Sequence, residues 1–142
     1  MSANSSTHDF SGPFRFCFIA GAVEGASGVV LGALASHLPD HMFAIPNGRT
    51  VLHSGVDILM WHAIALCALS LGARFLTLRL ARLACLTMLA GTLLFCVSVT
   101  LFALFDLKIG TLSVARIAPY GGTLLILAWL LAALAGLRRR SA

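Results

Sequence analysis

The chain has 142 residues, of which 59% are hydrophobic and 11% charged, and its mean hydropathy is +0.96. Ordinary soluble domains carry charge on roughly a quarter of their residues, and disordered chains combine low hydrophobicity with high charge. Ten Lys/Arg and five Asp/Glu are too few to coat a soluble core, so the expected solvent is lipid.

A hydrocarbon core about 30 Å thick needs about 20 apolar helical residues, and the chain supplies such a run four times. Residues 1–12 form a polar tail. Residues 13–142 read as a single membrane domain with helices at about residues 16–36, 56–73, 83–105 and 117–137. Backbone groups in lipid must be satisfied within each segment, so each run is predicted to be helical. The fold class is all-α, a bundle of four transmembrane helices. The linker at residues 39–55 holds Pro39, Pro46 and the turn dipeptide Asn47-Gly48. The linker at residues 74–82 is basic, and that at residues 106–116 is mixed. Arg15 followed by an apolar stretch and Ala33-Leu34-Ala35 also fits a cleaved signal peptide, but the run is long for one and contains Glu24.

The net charge of +5 is not spread as a basic stripe among aromatics, so no nucleic-acid partner is expected. The basic residues lie at the ends of the runs instead. Four spans put Arg15, Arg74, Arg79, Arg82 and Arg138-Arg139-Arg140 on one side, against Arg49, Lys108 and Arg116 on the other. The positive-inside rule then predicts a multi-pass protein of the cell inner (plasma) membrane with both termini cytoplasmic.

Gly21, Gly25, Gly28 and Gly32 fall at i, i+4, i+7 and i+11 and line one face of the first helix. Such a stripe suits close helix packing within the chain, or a homo-oligomer or another membrane protein as partner. Glu24 lies about 60° from the stripe at about 100° per residue, facing protein rather than lipid. A carboxylate there costs at least about 2.5 kcal/mol unless paired or protonated. It reads either as a proton or cation site or as a structural hydrogen bond. His62, within Trp61-His62-Ala63, is the second candidate in this intramembrane polar site. Antiparallel runs place Glu24 toward the cytoplasmic side and His62 nearer the outer side, which disfavours a direct contact and leaves a water link open.

His37, His41, His53, Asp40 and Asp57 gather at the first outer loop. Two i, i+4 pairs among them suit metal only if helical, and Pro39 interrupts the first; polar loop residues are the expected reading, with no metal and no cofactor. Cys17, Cys67, Cys85 and Cys96 lack paired spacing and read as small core residues. Thr87, Gly91 and Ser98 on the third run, and Gly122, Ala133 and Gly136 on the fourth, suit close packing.

Several segments together resemble a known family. Leu31-Gly32-Ala33-Leu34-Ala35-Ser36-His37 is similar to its G-A-F-G-A-H segment, and Trp61-His62-Ala63-Ile64-Ala65-Leu66 to its H-A-L-A-L segment. Gly91, Phe95 and Ser98 match its G-x-x-x-F-S-G-S, and Ala118-Pro119-Tyr120-Gly121-Gly122 with Trp129 resembles T-P-x-G-G and a later G-W. The family is the YgdD/YwdK-like small membrane proteins of unknown function. Cys96, Val97 and Thr100 depart from its pattern. The resemblance implies four helices in a membrane and no established activity. Pro119 suits a helix start, Gly121 and Gly122 allow close approach, and Trp129 is read as a packing residue.

No P-loop, H-E-x-x-H, Rossmann or nucleophile motif occurs, so no enzyme is expected. The lack of chemistry and the small-residue stripes favour a structural or accessory membrane protein. The alternative is a small proton-coupled transporter or exporter using Glu24.

Overall fold

The computed structural model describes residues 12–137; the basic run at residues 138–140 and nearly all of the polar tail lie outside them. Four helices run up and down: α1 (Gly12–His37), α2 (Gly48–Gly72), α3 (Leu78–Phe105) and α4 (Ala118–Leu137). All four, with their flanking turns, are long and apolar enough to cross a membrane.

Three helices begin earlier than the hydropathy predicts, α1 at Gly12 rather than near Phe16. α2 starts at Gly48 rather than near Val56, and α3 at Leu78 rather than near Leu83. The added turns carry Arg49, Thr50, His53, Ser54, Arg79 and Arg82. These residues are poor for lipid and harmless in a helix that projects beyond it, so hydropathy cannot see them. The remaining loop, residues 38–47, ends α1 where Pro39 cannot continue the helix and contains one 3-10 turn, Asp40–Met42.

Arg49 therefore belongs to α2, not to a loop. Its guanidinium donates to the Ala35 carbonyl in the last turn of α1 and to the Leu38 carbonyl just beyond it. It also pairs with Asp40 at 2.8 Å and lies over the Phe43 ring. A cation at the negative end of α1 satisfies carbonyls that the helix leaves open.

A hairpin absent from the sequence expectation closes the loop end between α3 and α4. β1 (Lys108–Ile109) pairs antiparallel with β2 (Leu112–Ser113). Gly110 turns it at φ +64°, a conformation that glycine adopts without steric penalty. Asp106 ends α3 at φ 43° and pairs with Lys108 at 2.8 Å.

The helices pack in chain order: α1 on α2, α2 on α3, α3 on α4, with α1 and α3 touching only slightly. All four small residues of the α1 stripe face α2. A β-carbon at Gly21 would stand 3.0 Å from the Ala63 carbonyl; Gly25, Gly28 and Gly32 face Ala63, Met60 and Val56. Between α3 and α4 the closest approach is at Gly91 and Gly121. A β-carbon at Gly121 would sit 2.5 Å from the Phe95 amide nitrogen, whereas one at Gly122 has nothing nearer than 4.0 Å. The buried face of α4 is thus Gly121, Leu125, Ala128 and Ala135. Ala133 is exposed, because the helical register turns it outward.

One apolar cluster, including Phe14, Cys17, Leu66, Cys85, Ala128 and Ala135, fills the half of the bundle opposite the loop end. A second, Ala35, Leu52 and Ala103, fills the loop end. Gly121→Ala is expected to destabilise the bundle by about 1–3 kcal/mol through overpacking, while Gly122→Ala leaves it unchanged; thermal unfolding in detergent measures both.

Candidate functional site: an unpartnered carboxyl beside an intramembrane cleft

Glu24 stands midway along α1, and His62 near the middle of α2. Their neighbours Gly25 and Ala63 meet across the interface, so the two candidates share a depth. The sequence placed them toward opposite sides because it started α2 too late.

Equal depth does not bring them together. His62 is buried and fully engaged. Its Nδ1 lies 2.7 Å from the Ile58 carbonyl, and the Trp129 indole Nε1–H donates to its Nε2 at 3.3 Å. Indole nitrogen only donates, so Nε2 accepts and Nδ1 carries the proton given to Ile58. A second proton at Nε2 would break the Trp129 bond. The Trp129 bond joins α2 to α4. Trp129, read in sequence as a packing residue, is 52% exposed, with its indole nitrogen turned inward to His62. The partners are separated by 67 residues, and no local signal links them.

Glu24 is the opposite case. It is 4% exposed, and neither carboxyl oxygen has a hydrogen-bond partner among the described residues. The other buried polar side chains are each satisfied. Ser70 donates to the Leu66 carbonyl, Thr92 to Met88, and Ser98 to Leu94 and Phe95. The cysteines, read as inert packing, also stitch helices together. Cys67 donates to the Phe18 carbonyl at 3.6 Å and Cys96 to the Gly55 carbonyl at 3.5 Å.

The carboxyl borders a cleft of about 240 Å³ between α1 and α3. Its buried floor is Glu24, Leu59 and Cys96; its exposed rim is Val23, Ser27, Leu93 and Val97. Leu31, Thr100 and Leu101 carry it toward the loop end. The cleft exists because α1 leans on α2 through glycine contacts and leaves α3 largely untouched. A second groove, beside the hairpin, is lined by Leu94, Ser98, Val114 and Ile117. The Ser98 hydroxyl there is already bonded to backbone, so that groove offers shape alone.

His37, His41, His53 and Asp57 are exposed, and among the described residues no three His, Cys, Asp or Glu side chains gather as a metal-binding group. All four cysteines are free.

A family model described as "Protein of unknown function (DUF423)" matches residues 31–122, well over half of the chain. The match supports the small uncharacterised family that the motifs resemble. It takes in His62, Gly91 and Gly121 and stops short of Glu24 and Trp129. No curated protein and no solved structure matches the chain.

A carboxyl without partners contributes no bond that its removal can break. Glu24→Met is expected to leave thermal stability unchanged or raised, whereas Leu59→Ala, at the same cleft, loses about 2–5 kcal/mol. Trp129→Phe is expected to cost about 0.6 kcal/mol, the usual worth of a hydrogen bond between membrane helices, read by unfolding in the same detergent.

Proposed function

We propose that this chain, which belongs to the family described as protein of unknown function (DUF423), is a small proton-linked carrier of the membrane with Glu24 as its working group. The observation that carries the reading is the carboxyl itself: 4% exposed, unpartnered on both oxygens among the described residues and bordering a cleft. An ionised carboxylate there has nothing to offset its desolvation, so it holds a proton until a cation takes that proton's place. An intramembrane ionisable residue is by default a candidate functional site, and a structural one is usually tied to a neighbour. No catalytic step is part of this reading.

A structural or accessory role is the rival. Its support in sequence was the small-residue stripes and the lack of chemistry; the α1 stripe is turned onto α2, which leaves it no free face for a partner helix. The partner inferred here is the bilayer; a second copy of the chain is not needed to complete the site. The distribution of basic residues supports a cell inner membrane with both termini cytoplasmic. Among the described residues Arg15, Arg74, Arg79 and Arg82 mark one end, and Arg49, Lys108 and Arg116 the other.

The test is proton flux in reconstituted vesicles carrying a pH gradient. The wild type is expected to exceed protein-free vesicles, and Glu24→Gln to fall to their level while eluting as a folded protein. Equal flux from wild type and Glu24→Gln overturns the reading.

A further inference from the structure

The cleft beside Glu24 specifies the chemistry of what enters it. Its rim, Val23, Ser27, Leu93 and Val97, is exposed on the outer face of the bundle, which in a bilayer is the lipid-facing surface. Entry is therefore sideways, from the membrane. Its walls are apolar except for Glu24, Cys96 and the hydroxyls of Ser27 and Thr100. A divalent metal ion needs six or more oxygen ligands, or a tetrahedral set of nitrogen and sulfur, and these walls hold neither. An anion meets a carboxylate. A neutral apolar molecule leaves the carboxyl as unpaired as before.

The remaining class has one positive charge, N–H donors and an apolar body. We propose that the cleft is a binding site for a lipophilic amine, whose ammonium displaces the proton of Glu24 and donates hydrogen bonds to its two oxygens. The Ser27 hydroxyl donates to the Val23 carbonyl at 2.9 Å, and its lone pairs remain to accept a further ammonium hydrogen. At about 240 Å³ the cleft lies below the usual range for drug-sized ligands, which favours a body of one ring or a short alkyl chain. Binding balances as an exchange: the carboxyl releases one proton, and the ammonium occupies the place it leaves. The ionisable groups that face Glu24 are the Cys67 thiol of α2 and the Cys96 thiol of α3. Both thiols already donate to backbone carbonyls, and His62 points to Trp129. The proposal rests on Glu24 being the working group of the carrier.

Benzylamine and benzyl alcohol, alike in shape and different in charge, test it by calorimetry on the protein in lipid nanodiscs. Runs in two buffers of different ionisation enthalpy count the protons released. The wild type is expected to bind benzylamine with release of one proton and to bind benzyl alcohol with none. Glu24→Gln is expected to weaken benzylamine binding by about thirtyfold or more, as loss of one partner of a buried charge pair does. Leu93→Trp, which narrows the rim, is expected to weaken both ligands. Benzylamine binding without proton release, or as tight in Glu24→Gln, overturns the proposal. If Glu24→Gln fails to fold, the proton count in the wild type still decides. Glu24-dependent flux without benzylamine binding sinks this proposal and leaves the carrier standing; Glu24-dependent binding without flux does the reverse.

Discussion

Helices in lipid gain little by hiding apolar side chains from one another, since the tails around them are just as apolar. What holds such a bundle is the closeness of its backbones. Here that closeness is concentrated at a few glycines. Gly21 brings α1 against the Ala63 carbonyl, and Gly91 and Gly121 bring α3 and α4 together. Much of the rest follows from these approaches. The thiols of Cys67 and Cys96 reach backbone carbonyls on neighbouring helices because the helices are already near. At the loop end, where no such glycine pair joins α1 to α2, Arg49 does the joining by holding carbonyls at the end of α1.

The same contacts explain why a cavity forms at Glu24. α1 turns its glycines onto α2 and touches α3 only slightly. Apolar clusters fill both halves of the bundle, and the carboxyl lies midway along α1. Two polar residues at one depth thus meet different fates. His62 satisfies both nitrogens through α2 and α4, while Glu24 satisfies neither oxygen among the described residues.

Much of the architecture was legible in sequence because lipid imposes a length and a polarity on every span. Four apolar runs became four helices. The periodicity of Gly21, Gly25, Gly28 and Gly32 announced a packing face, and the position of Glu24 beside it announced a buried carboxyl. The failures have equally physical origins. The first two turns of α2 are polar and lie outside the expected span, so hydropathy placed Arg49 and His53 in a loop and His62 too near one side. Of the two glycines after Pro119, nothing local says that Gly121 makes the close approach and Gly122 does not; that depends on where Phe95 lies. The bond from Trp129 to His62 joins distant parts of the chain. That Glu24 has no partner is a property of its neighbours, and no sequence pattern encodes it.

The sideways opening of the cleft has a consequence for how strongly anything must bind there. A pocket facing water samples the aqueous concentration of its ligand. One whose rim is Val23, Leu93 and Val97 samples the concentration dissolved in the membrane. Each tenfold of enrichment in the bilayer stands in for about 1.4 kcal/mol of contact energy. A small cleft with one charged group can therefore be well occupied by a molecule that it holds only loosely, and a loosely held molecule leaves quickly. On the proposed reading, the bilayer does part of the concentrating and the protein chooses by charge.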